Sequence, residues 1–188
     1  MSRGELWLIR HGETEWSASG RHTSSTDLAL TAEGERKAAA VGRLLAGKTF
    51  ALVLASPLRR ALETCRLAGY NPEVTPDLCE WGYGAYEGLT TAEIQIQNPG
   101  WTIWTGTPPE GESADVVGAR ADRVIAKATA TGGDVALFGH GHMLRVLAAR
   151  WLGLEPTGGR LLALATGSVS VLGYERETRV VQSWNRTA

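Results

Sequence analysis

The sequence predicts an α/β protein, a three-layer α/β/α sandwich around a mostly parallel central sheet. Three short apolar runs, Leu6-Trp7-Leu8-Ile9, Phe50 to Ala55 and Val135-Ala136-Leu137-Phe138, are continuous rather than alternating. That is the pattern of strands buried on both faces of a parallel sheet. A helical segment follows each run, at once for the second and third and after a loop for the first. Strands alternating with helices place helices on both faces.

The elements follow in order. A first helix is expected from Thr31, an N-cap with Glu33 and Glu35 in its first turn, and it presents Val41, Leu44 and Leu45 on one face. Gly47 should stop it. The second opens with Ser56-Pro57, read as an N-cap and a proline at the first helical position, with Leu58, Leu62 and Cys65 on one side. A further helix is predicted from Ser113 to Thr131, ended by Gly132-Gly133. Another starts at Gly141-His142 and carries Leu144, Val146, Leu147 and Trp151. The runs Ser168 to Tyr174 and Arg179 to Trp184 read as strands of a hairpin turning at Arg176-Glu177-Thr178.

Composition narrows the function classes. The 188 residues are 43% hydrophobic and 21% charged, which fits one soluble domain over 1–188 with a core large enough to need no disulfide or structural metal. A net charge of -1 leaves no footprint for nucleic acid or an anionic membrane. The two cysteines, Cys65 and Cys79, lack CxxC spacing, and a reducing cytoplasm is the simplest expectation. The opening MSRGELWLIRHGE reads as carrying no secretory signal, and no stretch approaches a membrane span.

Ligands of open α/β sheets bind beyond the carboxyl ends of the strands. Here those ends are Arg10-His11, the segment Ser56 to Arg60, and Gly139-His140. Two histidines and up to three arginines therefore converge on one edge, a constellation suited to a phosphate dianion. Guanidinium forks match phosphate oxygens. A histidine near its ordinary pKa of about 6.5 is partly neutral and nucleophilic at physiological pH. The second histidine and the arginines would stabilise charge on the phosphoryl oxygens. The leaving oxygen needs a proton, and Glu80 in "LCEWGYGAYEGL", flanked by apolar Leu78 and Trp81, is the candidate acid.

The blocks "LIRHGETEW", "SPLRRALETC", "EWGYGAYEGL" and "FGHGHMLRVL" occur in an order and spacing that resemble the histidine phosphatase superfamily, in its phosphoglycerate mutase-like branch. The resemblance spans nearly the whole chain and extends to the shorter broad-specificity and acid phosphatases of actinobacteria. It implies a phosphoglycerate mutase-like fold, with His11 as nucleophile, Arg10, Arg60 and His140 completing the phosphate pocket, and Glu80 as proton donor. It also implies a cytoplasmic phosphomonoesterase for small molecules, working through a phosphohistidine without metal or cofactor. A homodimer is expected on family grounds.

Two departures from the family pattern matter. Ser17 stands where the family often has asparagine, and its hydroxyl can still serve the phosphate. Ser17, Arg21, His22, Thr23, Tyr83 and Gly141 are the further expected substrate contacts. The mutases grip a carboxylate with arginines and a lysine, yet residues 90–113 here contain neither. That favours a phosphatase over a mutase. Residues 81–112 read as a loop and helical lid over the site, with Trp101 and Trp104 either packing beneath it or meeting substrate. The competing readings are a primer-dependent phosphoglycerate mutase, a phosphoprotein phosphatase and a non-catalytic phospho-ligand binder. His142 reads as a helix-start or pocket-wall residue rather than a metal ligand, Glu13 as a brace behind the arginines, and Glu87 as holding the loop near Glu80. An acid pH optimum is expected, because Glu80 must begin protonated while His11 stays neutral.

Overall fold

A computed structural model describes residues 3–188. In chain order the elements are β1 (Leu6–Arg10), α1 (Glu15–Ser19), α2 (Ala32–Leu44), β2 (Leu52–Ala55), α3 (Arg59–Leu67), β3 (Glu73–Val74), α4 (Thr91–Gln97), α5 (Ala114–Ala130), β4 (Val135–Gly139), α6 (Gly141–Trp151), β5 (Val169–Glu175) and β6 (Thr178–Arg186). The strands form one sheet in the order β3-β2-β4-β1-β5-β6. Its pairings from β3 to β1 are parallel, and those from β1 to β6 are antiparallel.

Strand periodicity explains the three layers. Leu6 and Leu8 of β1 point into a core shared with α5 and α6, including Val117, Ala121, Leu144 and Leu147. Trp7 and Ile9 point the other way, against Val41 and Leu45 at the end of α2 and Cys65 of α3. Both faces of β1 and β4 are thus covered, and their apolar runs are unbroken for that reason. The C-terminal hairpin forms as expected, its turn placing Arg176 at φ 55°. Among the described residues no helix is long and apolar enough to cross a membrane.

The Thr31 cap holds, accepting from Gly34 N at 3.0 Å. The Ser56-Pro57 start does not. Helix α3 begins at Arg59, two residues later than a proline at N1 would place it, and Leu58 in the cap position offers no side-chain bond. Asp27, from a distant loop, instead accepts the Arg59 N–H at 2.7 Å. Ser56 is fully buried and serves the site described next.

Candidate active site

Adjacent strands β1 and β4 deliver the two histidines. The His11 N–H donates to Gly139 O at 3.0 Å, which continues the parallel ladder one residue past β1 and sets His11 beside His140. Their ring centroids are 5.2 Å apart. Gly12 follows because a Cβ there would fall 2.3 Å from Gly34 O in α2.

Hydrogen bonds fix both tautomers. His11 Nδ1 lies 2.6 Å from Gly12 O, and a carbonyl can only accept, so Nδ1 carries the proton and Nε2 keeps a lone pair. For His140 the order is reversed. Arg60 Nε donates to Nδ1 at 3.2 Å, so Nε2 holds the proton and gives it to Ser56 Oγ at 2.8 Å. Burial, followed by the charges of Arg10 and Arg60, drives the His11 pKa well below 6.5. Burial and then Arg60 act likewise on His140. Both rings are neutral.

A cavity of about 380 Å³ opens at this edge, and Arg10, His11, Thr14, Ser17, Arg21, His22, Thr23, Glu80, Tyr83, Gly141, His142 and Arg145 are on its wall. Arg60 and His140 are not. Arg60 is fully buried behind it, donating to Thr26 O at 2.9 Å, Thr23 O at 3.2 Å and Ser24 O at 3.1 Å. Arg10 gives Nη1 to Leu164 O at 2.5 Å, while its buried Nε has no partner among the described residues. An unpaired buried donor is costly unless a ligand meets it. Gly141 lets Arg10 come close, since a Cβ there would lie 3.2 Å from Arg10 Cζ.

Glu80 is not in the apolar surroundings that Leu78 and Trp81 suggest. Its Oε1 accepts from Trp81 N and Met143 N, each at 2.8 Å, and its Oε2 accepts from His142 N at 3.0 Å. Two of these donors are the free N–H groups at the start of α6. Oε1 is saturated, whereas Oε2 has room for a proton. The strand of chain carrying Glu80 is tied down by Arg120 of α5, which donates to Asp77 O at 2.9 Å, Cys79 O at 2.8 Å and Glu80 O at 3.3 Å. Arg120 also forks onto Glu112 at 3.0 and 2.7 Å, and Glu112 in turn accepts from Gly82 N at 2.8 Å.

The remaining expected contacts all reach the wall, several with their groups engaged. Ser17 Oγ closes a capping box with Thr14. Thr23 Oγ1 donates to Arg21 O at 3.1 Å, and Arg21 Nη1 to Gly88 O at 2.6 Å. His22 is buried on the wall, its ring 4.7 Å from that of Tyr83. Burial pushes the Tyr83 hydroxyl well above its usual pKa, so it stays protonated and donates to His142 Nδ1 at 2.5 Å. From residues 81–112 the wall also gains Thr91, Thr102, Ile103 and Trp104, while Trp101 packs beneath. Glu13 does not brace an arginine: it binds Lys37 Nζ and Thr31 Oγ1, both at 3.1 Å. Glu87 holds a different loop, accepting from Ser24 N at 2.8 Å and Thr26 N at 3.1 Å. The sequence reading missed Arg120 and Arg145, which no local pattern distinguishes from ordinary helix-surface arginines.

The sheet edge presents a neutral imidazole, with Nε2 free to accept, on the same cavity wall as an arginine whose Nε has no partner among the described residues. Residues 6–187 match the family model of the histidine phosphatase superfamily (branch 1). The chain belongs to that superfamily and is a phosphoric monoester hydrolase. It is 42% identical over 179 residues to an acid phosphatase of Mycobacterium tuberculosis, covering 93% of this chain and 88% of that one. It is 34% identical over 182 residues to a sedoheptulose 1,7-bisphosphatase of Saccharomyces cerevisiae, covering 78% and 67%. A solved structure of a Mycobacterium tuberculosis open reading frame superposes with TM-score 0.93 at 40% identity over 98% of each chain.

Proposed function

We propose that the protein hydrolyses small phosphomonoesters through a phosphohistidine on His11 and works well at acid pH. The observation that carries this is the Nδ1–H bond of His11 to Gly12 O, which leaves Nε2 as a nucleophile on the same wall as the unpaired Arg10 Nε. In the first step Nε2 bonds to phosphorus, the ester P–O bond breaks, and Glu80 gives its Oε2 proton to the leaving oxygen. In the second, water attacks phosphorus, the N–P bond breaks, and the Glu80 carboxylate takes the water proton. Arg10 meets the phosphoryl oxygens directly. Arg60 and His140 are assigned a supporting role behind His11, their polar groups being engaged with one another, with Ser56 and with loop carbonyls. The depressed pKa of His11 keeps the nucleophile neutral in acid, which supports the acid preference.

Phosphate release from p-nitrophenyl phosphate and 3-phosphoglycerate, with and without 2,3-bisphosphoglycerate, tests the reading at pH 5 to 8 with chelator present. Release by the wild type, its loss in His11→Ala, and an acid-labile, alkali-stable phosphoryl adduct in wild type quenched with alkali are expected. Primer-dependent isomerisation without release would make the protein a mutase. Release that survives His11→Ala would remove His11 as nucleophile.

A further inference from the structure

Three guanidinium groups border the cavity. Arg10 belongs to the phosphoryl site, and the charge of Arg21 faces Glu93 at 3.6 Å. Arg145 is different. It is half-buried on the cavity wall, yet no carboxylate lies within ion-pairing distance of it among the described residues. Its Nε donates to Gly159 O at 3.1 Å and its Nη2 to Arg160 O at 3.4 Å, and its fork lies over the Trp104 ring with Cζ 4.6 Å from the centroid. Nη1 has no bonded acceptor among the described residues. Two carbonyls and an indole therefore hold a charged fork in one orientation at the cavity, with no ion-pair partner among the described residues and only the longer-range charge of Glu80 to balance it. A partly desolvated cation without a close counter-charge is expensive, and a bound anion offsets that cost.

Position supplies the second argument. Arg145 is four residues beyond Gly141, the residue that Arg10 packs against, a rise of about 6 Å along α6, so both arginines flank the first turns of that helix at the cavity. Two anionic groups joined by a short chain suit two arginines on the wall of one cavity. We propose that Arg145 forms a second anion subsite, and that the preferred substrates are small phosphomonoesters carrying a further carboxylate or phosphate close to the ester phosphate. The proposal deepens the phosphomonoesterase reading and rests on it. It also limits an argument from the sequence: residues 90–113 contain no cation, but α6 supplies one to the same cavity.

The experiment compares kcat/KM for ethyl phosphate, 2-phosphoglycolate and propane-1,3-diol bisphosphate in wild type, Arg145→Gln and Arg145→Lys. The first two esters differ in a methyl against a carboxylate, and the third carries a second phosphate on a longer chain. Wild type should prefer an ester with an anionic tail over ethyl phosphate by roughly tenfold to a hundredfold. Arg145→Gln should shrink that preference to about twofold or less, with Arg145→Lys between. The ratio of the two charged esters tells which anion the subsite takes. An absent preference in wild type, or an equal loss for all three esters in Arg145→Gln, would overturn the proposal and leave Arg145 as a prop for the turn at 156–161.

Calorimetric titration of 2-phosphoglycolate and inorganic phosphate, in a His11→Asn background with and without Arg145→Gln, separates the two readings. If no ester turns over, the phosphomonoesterase reading fails. The subsite then stands only if Arg145→Gln weakens 2-phosphoglycolate at least tenfold more than inorganic phosphate.

Discussion

Replacing Arg120 with alanine removes the tie between α5 and the chain that carries Glu80. Six hydrogen bonds go at once, three to the carbonyls of Asp77, Cys79 and Glu80, two to the Glu112 carboxylate and a weak one to Met143 Sδ. The Arg120 side chain is 11% exposed and that of Glu112 27%, so water re-solvates the orphaned carboxylate only in part. Breaking a fully buried pair costs about 3–5 kcal/mol, and the partial exposure lowers this to about 3 kcal/mol here. For a chain of this size that is a fall in Tm of about 6–12 °C. Catalysis should suffer separately, because a carboxyl displaced by an ångström loses much of its reach to the leaving oxygen. A fall in kcat of about thirtyfold is expected well below the melting range, with KM changed by no more than about threefold. Thermal melts and p-nitrophenyl phosphate kinetics measure the two effects. Arg123→Ala is the control: that exposed arginine pairs with the Asp77 side chain at 2.6 Å and should cost less than about 1 kcal/mol, with kcat within about twofold. An Arg120→Ala protein that melts early but keeps wild-type kcat would refute the positioning role.

Acid should destabilise the fold that acid chemistry uses. His11 and His140 are buried and His142 half-buried, all with pKa values well below 6.5, so between that value and their own the unfolded chain binds more protons than the folded one. Stability is complete above about pH 6.5 and is lost as pH falls, with a slope approaching about 4 kcal/mol per pH unit for three groups. Urea midpoints at pH 7.5, 6.5 and 5.5 check this, and a flat series would contradict buried neutral rings. Gly141→Ala pushes a methyl group to 3.2 Å from Arg10 Cζ and should lower kcat/KM at least tenfold with little change in Tm; unaltered steady-state kinetics would show that Arg10 can yield without loss. Ser56→Ala strips the acceptor from His140 Nε2–H in a fully buried site and should cost about 1–3 kcal/mol by chemical denaturation. An unchanged midpoint would mean that His140 finds another partner.

Strand positions and the His11 edge were legible because they depend on local pattern. An apolar run buried on both faces looks the same wherever it lies in the sheet, and the residue after it must leave the core. What the sequence concealed was held from a distance. Ser56 resembles a helix cap, but its hydroxyl is taken by His140, and α3 is capped by Asp27. Glu80 has apolar neighbours in the chain, yet its oxygens face the start of α6, more than sixty residues on. Arg120 and Arg145 sit on helices read correctly as helices, and only the packing of the chain around Glu80 and of Trp104 gives them work.

The ladder bond from His11 N to Gly139 O has a consequence for how such an enzyme can be altered. It ties the spacing of the two imidazoles to the strand separation of a sheet, which side-chain substitution scarcely changes. Tyr83 and Thr102 to Trp104 come from connections, and Arg145 from the second turn of α6, none of them bound by that lattice. Chemistry and selectivity are thus mechanically uncoupled. Libraries confined to those wall positions should exchange one substrate for another while the reacting groups keep their register.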